Sequence, residues 1–294
     1  MKSKLRDKKA RGRDLKSSPR IFSAGSLASA PIITLLTDFG TSDYFVAALK
    51  GRILSINPRA GIVDIAHDIL PQDIEAAAFT LLSACETFPP GTIHVVVVDP
   101  GVGSSRRPLA VEASKMFFVG PDNGVFSYVY ERLGRRRIIH LTDDSMFFQP
   151  VSSTFHGRDV FAPVAAAISL GVKPDQMGEL ITDAIRLPSL RPEMLRDESV
   201  RARVIHIDRF GNCVTNITDR ELTFEMIAAG ATLQINGKKI TSFRRYFAEG
   251  AGREKLFAVW GSAGFLEIAA QNDSAAGILK AKRGDAITAI LAAD

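Results

Sequence analysis

Apolar residues run through the first two-thirds of the chain in short unbroken blocks separated by stretches of helical spacing. Ile32 to Leu36 is the first block, closed by Thr37, Asp38, Phe39 and Gly40. Tyr44 to Ile56 then places Phe45, Ala48, Leu49, Ile53 and Leu54 on one helical face and stops at Asn57-Pro58. Ile62 to Ile65 is a second block, and Pro71 to Asp73 opens a helix that runs to Cys85. Val95 to Val98, four β-branched residues in a row, read as a strand buried on both faces. Three strands alternating with two helices predict a βαβαβ start with parallel strands. Leu109 to Val111 and Met116 to Val119 form a hairpin, Val125 to Leu133 a helix, Arg137 to Leu141 an edge strand, and Val160 to Leu170 an Ala-rich helix.

The pattern breaks at 187–199, where two prolines and mixed charge mark a linker, and from Val200 onward short strands dominate. Asn236-Gly237 between two of them is a strong hairpin signal. The expected fold class is therefore an α/β N-terminal domain, its mainly parallel sheet flanked by helices, followed by a small C-terminal β-barrel or sandwich. The expected boundaries are a basic tail at 1–30, an α/β domain at 31–190, a linker at 191–199 and a β-domain at 200–294.

Charge changes this picture only at the start. The chain of 294 residues carries 37 Lys+Arg against 32 Asp+Glu, a formal +5. Residues 1–30 hold nine of the basic residues and two of the acidic ones, so the remainder has 28 against 30 and is near neutral. Nucleic-acid binding by the folded part thus lacks compositional support. The tail has no periodic apolar residues and no apolar stretch of a secretory signal, and reads as disordered. No apolar run approaches the roughly 20 residues that span a bilayer, and the expected partners include neither a membrane nor a nucleic acid. Cys85 and Cys213 form no CxxC pair, which points to reduced thiols and a cytoplasmic setting.

Candidate chemistry sits where strands end. Asp99 closes the Val95–Val98 strand, with Gly101, Gly103, Arg106 and Arg107 behind it. Ligands in open α/β sheets bind at that edge, although a turn Asp beside a solvated Arg pair satisfies the same pattern. Asp38 also ends a strand and suits the two hydroxyls of a ribose diol. The TDFG string around it lacks the catalytic loop that precedes the kinase metal-binding motif, and Gly101-Val102-Gly103 lacks the GK[ST] of a phosphate loop. Among His67, His94, His140, His156 and His206, His156 stands before a glycine at a predicted helix start and is the chemical candidate; the others suit structural roles. No zinc spacing is present, so no metal is expected. Phe210 and Asn212 in one turn offer a stacking face and an amide to a base.

Taken together, TDFG at 37–40, VDPGVG at 98–103 with Arg106, FHGRD at 155–159, FGN at 210–212 and the SAGFLEI string at 262–268 resemble the S-adenosylmethionine hydroxide adenosyltransferases, relatives of the fluorinase and chlorinase enzymes. The resemblance runs from about Ile32 to Leu291. It implies a water-activating triad of Asp99, Arg106 and His156, ribose binding by Asp38, and a pocket aromatic at Phe155. It further implies adenine and methionine contacts from Asp208, Phe210, Asn212, Ser262 and Glu267, with Phe247 against the base. The implied reaction is hydrolysis of S-adenosyl-L-methionine to adenosine and L-methionine with no cofactor, by homotrimers whose active sites lie between subunits. Halogenases of this kind carry Tyr in place of Asp99 and Tyr-Ser in place of His156-Gly157, so an oxygen nucleophile is expected here. A halide-using relative and a non-catalytic nucleoside-binding protein are the alternatives. The string Trp260 to Gly264 departs from the Asn-Ser-Ser-Gly usual in the hydrolases.

Overall fold

The structure, a computed structural model, describes residues 30–195, 199–250 and 254–291. The basic tail expected at 1–30 therefore lies, but for its last residue, outside the described residues.

The N-terminal sheet contains β1 (Ile32–Thr37), β2 (Gly61–Ala66), β3 (Ile93–Val97), β4 (Pro108–Ala113), β5 (Met116–Pro121), β6 (Arg136–Leu141) and β7 (Gly178–Ile181), in the order β2-β1-β3-β5-β4-β6-β7. Pairings across β2, β1, β3 and β5 are parallel, whereas β4 pairs antiparallel with β5 and β6, and β6 with β7. The sheet is mixed, so the expectation of a mainly parallel one holds only for its first half. The reason is connection length: Ser114 and Lys115, both at positive φ, turn β4 directly into β5, and a two-residue link can join only antiparallel strands. The strand at 136–141, expected at the edge, is covered by β7, whose short sequence Gly178–Ile181 offers little periodicity.

Helices α1 (Phe45–Ile56) and α2 (Ile74–Cys85) form as the apolar spacing predicts, and Asp73 caps α2 by accepting from the Ala76 amide at 3.0 Å. With α3 (Ser127–Leu133) and α4 (Ala162–Ser169) they cover both faces of the sheet. Strand alternation divides the core accordingly: Leu35, Val95 and Val97 pack with α1 and α4, while Leu36, Val96 and Val98 pack with α2 and α3.

The second domain is built from β8 (Glu193–Met194), β9 (Val200–Ile207), β10 (Cys213–Thr215), β11 (Thr232–Ile235), β12 (Lys238–Ile240), β13 (Phe243–Arg244), β14 (Leu256–Trp260), β15 (Leu266–Ala270) and β16 (Ala286–Ile290). These join in one curled path, β12-β11-β16-β9-β10-β15-β14-β13, with β8 added to β9. Asn236 and Gly237, both at positive φ, make the expected hairpin turn. Short helices α5 (Phe224–Ala228) and α6 (Ala275–Leu279) escape sequence reading because five residues carry little period.

The two domains meet through Phe79 and Leu82 of α2, Tyr128, Leu190, Ile205, Val214 and Phe265. Charged contacts frame this apolar seam: Arg283 lies 2.7 Å from Asp73, and Glu75 accepts from the Tyr128 hydroxyl at 2.9 Å.

Candidate active site

The carboxyl ends of β1 and β3 lie side by side, since Thr37 pairs with Val97, and each delivers an acid to the same edge: Asp38 and Asp99. Arg106 arrives from the loop entering β4. Its Nε donates to both Asp99 oxygens at 2.9 and 3.0 Å, and its Nη2 donates to the same carboxylate. The second Nη2 hydrogen faces His156 Nδ1 at 2.7 Å. Asp99 and Arg106 are almost wholly buried, with side chains 4% and 8% exposed, so the pair gains from a low local dielectric that an exposed ion pair lacks. Arg106 Nη1 is buried without a hydrogen-bond partner.

His156 stands at the start of a π-helical turn, Gly157–Phe161, that continues into α4. Such turns are frequent at functional sites. A guanidinium can only donate, so His156 Nδ1 is the acceptor and the neutral imidazole carries its proton on Nε2. Burial, and then the Arg106 charge, hold the His156 pKa below its ordinary value, which keeps that neutral form dominant. The segment before His156 is pinned by Asp159, fully buried, which accepts from the Ser152 amide at 2.9 Å and pairs with Arg158. Gly103 closes the two loops on each other: at φ +77, a Cβ there would sit 2.2 Å from the Ser153 carbonyl oxygen.

Asp38, Asp99, Phe155 and His156 line one cavity of about 330 Å³, together with Phe39, Gln72 and Thr154. Phe39, Phe45 and Phe155 stack edge-on or tilted around it, with centroids 5.2 to 5.9 Å apart. Sequence reasoning passes over Gln72. Its amide holds Asp38 Oδ2 at 2.8 Å from a backbone at φ +68, and a residue between a proline and a helix cap gives no sign of that duty.

Phe210, Asn212 and Phe247 lie instead on the second domain, in a cavity of about 670 Å³ shared with Phe257 and Ala270 to Asp273. The cavities share no residue. Asp208 accepts from the Phe210 and Asn212 amides and from Asn212 Nδ2, all within 2.9 Å, so its carboxylate shapes the turn that presents them. Glu267 is half-buried on β15 against Gly261, and burial followed by the charge of Asp208 raises its pKa. Ser262 is exposed on the turn between β14 and β15; neither it nor Glu267 lines the two cavities. Among the described residues no group of three or more His, Cys, Asp or Glu is placed to hold a metal ion, and no helix is long and apolar enough to cross a membrane.

Two family models cover this architecture: the SAM hydroxide adenosyltransferase N-terminal domain matches residues 33–178 and the corresponding C-terminal domain residues 202–288. The chain belongs to the SAM hydroxide adenosyltransferase family. It is 41% identical to an (R)-S-adenosyl-L-methionine hydrolase of Methanocaldococcus jannaschii, over 88% of this chain and 95% of that protein. It is 35% identical to one of Thermus thermophilus, over 86% and 96%. A fluorinase of Nocardia brasiliensis is more distant, at 26% identity over 81% and 90%. Among solved structures, an uncharacterized conserved protein of Thermotoga maritima superposes with a TM-score of 0.81 at 34% identity, covering 87% of this chain and 99% of that one. The strings at 37–40, 98–103 and 155–159 fall within the N-terminal match, and those at 210–212 and 262–268 within the C-terminal one.

Proposed function

We propose that this protein hydrolyses S-adenosyl-L-methionine to adenosine and L-methionine. The observation that carries the reading is the buried Asp99, Arg106 and His156 cluster beside a cavity that also holds Asp38. In the reaction a water oxygen forms a bond to C5′ while the C5′–S bond breaks. Its electron pair stays on sulfur, which leaves as the neutral thioether of methionine, and the water proton passes to solvent. A leaving group that departs neutral needs no general acid, so catalysis rests on placing water in line and stabilising it as it becomes hydroxide-like. Of the two parts expected for His156, proton acceptor or orienting group, the hydrogen bonding favours the second: Nδ1 is engaged by Arg106, and Nε2–H is left to donate to the water oxygen. Arg106 supplies the fixed positive charge, and Asp99 holds the guanidinium plane. Asp38 receives the ribose hydroxyls.

The base and methionine would be met by the second domain, with Phe210 and Phe247 as stacking faces and Asn212 as the amide. Because the two cavities of one chain share no residue, while Phe210 is 79% exposed and Phe247 52%, the site is best completed between chains of a homotrimer. The decisive experiment incubates the protein with S-adenosyl-L-methionine in ¹⁸O-water, with and without chloride. Adenosine carrying the label, plus methionine, is expected in both buffers. Formation of 5′-chloro-5′-deoxyadenosine, or recovery of unchanged substrate, refutes the assignment.

A further inference from the structure

Behind Asp38 runs a chain of polar contacts that the proposed chemistry does not use. The Phe39 amide donates to Thr37 Oγ1 at 3.2 Å, Thr37 Oγ1 lies 2.9 Å from His67 Nδ1, and His67 Nε2 lies 3.0 Å from Asp64 Oδ1. Lys50 closes the chain on Asp64 Oδ2 at 2.6 Å. His67 Nε2 lies close to the Asp64 carboxylate without making a hydrogen bond to it. A lone pair there would face a negative charge, which favours the tautomer with the proton on Nε2; Nδ1 then accepts from the Thr37 hydroxyl, whose oxygen takes the Phe39 amide. Asp64 stays ionised beside the imidazole: burial would raise its pKa, but the nearby Lys50 and His67 outweigh that and lower it.

The backbone repeats the grip. Gly40 donates its amide to the His67 carbonyl at 2.7 Å, and Gln72, five residues after His67, donates its amide to Asp38 itself. Thr37 is fully buried and His67 6% exposed. A β-bulge, with Leu35 opposite Asp64 but Leu36 opposite Ala66, brings the end of β2 across the end of β1 just before this turn. An aliphatic side chain would fill the place of His67 without the desolvation cost of an imidazole. Packing alone therefore does not account for a histidine here, whereas its hydrogen bond to Thr37 and its approach to the Asp64 carboxylate do.

We infer that His67, acting through Thr37, is a positioning residue for the Asp38 carboxylate and so sets the affinity of the site for a ribose bearing free 2′ and 3′ hydroxyls. The inference rests on the adenosyl reading of this cavity. It predicts a selective defect: losing the imidazole lets the Asp38 turn drift, which weakens a ligand that needs the carboxylate and spares one that does not.

The test measures binding of adenosine and of 2′,3′-dideoxyadenosine to the full chain by calorimetry. The unaltered protein is expected to prefer adenosine. In His67→Ala, adenosine affinity should fall about tenfold, as for loss of one hydrogen bond to a charged group, with dideoxyadenosine affinity unchanged. Thr37→Val, which removes the hydroxyl at nearly constant shape, should do the same and serves where His67→Ala fails to fold. Adding His67→Ala to Asp38→Ala should cause no further loss, because the effect passes through Asp38. An equal fall for both ligands, or no fall for adenosine in either variant, overturns the positioning role. Failure of the unaltered protein to bind adenosine at all overturns the adenosyl reading and this inference with it, a result distinct from the other two.

Discussion

Three substitutions at His156 separate a hydrogen-bond donor from a general base. Loss of one donor to a developing oxyanion costs about 10²- to 10³-fold in rate, and loss of a general base about 10²- to 10⁴-fold, so His156→Ala lowers turnover under either role. The ring geometry distinguishes them. Asparagine can return an acceptor near the Nδ1 position, 2.7 Å from Arg106 Nη2, but has nothing at Nε2. Glutamine reaches the Nε2 position with an N–H and is a negligible base. Under the donor role, His156→Asn is as slow as His156→Ala, about 10²-fold down or more, while His156→Gln stays within about tenfold of the parent. The assay is adenosine release at saturating substrate, with adenosine affinity and thermal melting measured on each variant to show an intact site. The pKa held low by burial and by Arg106 adds a second readout: the acid limb of the unaltered enzyme's pH–rate curve lies below the ordinary histidine value near 6.5, where a proton on Nδ1 would oppose Arg106. A His156→Gln protein that binds adenosine normally yet is as slow as His156→Ala would refute the donor role.

Other parts of the molecule carry further expected outcomes. Mixing separately inactive Arg106→Ala and Asn212→Ala chains, after dissociation and reassembly, restores a fraction of the activity if sites form between subunits; no recovery in mixed trimers identified by native mass spectrometry counts against that. His94 is fully buried, bonded to Thr34 at 2.7 Å, and burial lowers its pKa to about 4. Because the unfolded chain takes up that proton first, stability is whole above about pH 6.5 and falls by about 3 kcal/mol as pH drops to about 4. Urea melts across that range should show the slope, and His94→Gln should flatten it. Gly103→Ala combines a strained positive φ with a Cβ 2.2 Å from the Ser153 carbonyl oxygen; it is expected to cost about 2 kcal/mol or more in stability and to slow turnover, and a melting curve unchanged from the parent would show that the loops can part freely.

What the sequence makes legible depends on distance along the chain. Local signals serve well: the runs at 32–36, 62–65 and 95–98 form β1, β2 and β3, and Asn236-Gly237 forms a tight turn, because periodicity and positive-φ chemistry act over a few residues. Two separate strings point to Asp99 with Arg106 and to His156, but no local pattern states that Nη2 bridges a carboxylate and an imidazole. His67 reads from sequence as a local hydrogen-bonding group; its partners Thr37 and Asp64 belong to two strands, and register decides such contacts. The reversal at β4 is legible from the short link that makes 109–111 and 116–119 a hairpin, whereas the directions of β6 and β7 are hidden, since a buried strand reads alike whichever way it runs.

That change of direction has a chemical consequence. Parallel strands bring to their shared edge only the residues at their carboxyl ends, and here those are acids, Asp38 and Asp99. An antiparallel strand begins where its neighbours finish: Pro108 of β4 lies opposite Pro121 at the end of β5, so the residues just ahead of it, Arg106 and Arg107, reach the same rim. Opposite charges thus converge because one ribbon runs backwards. Rebuilding this sheet with every strand pointing one way would preserve its core and strip its rim of the cation.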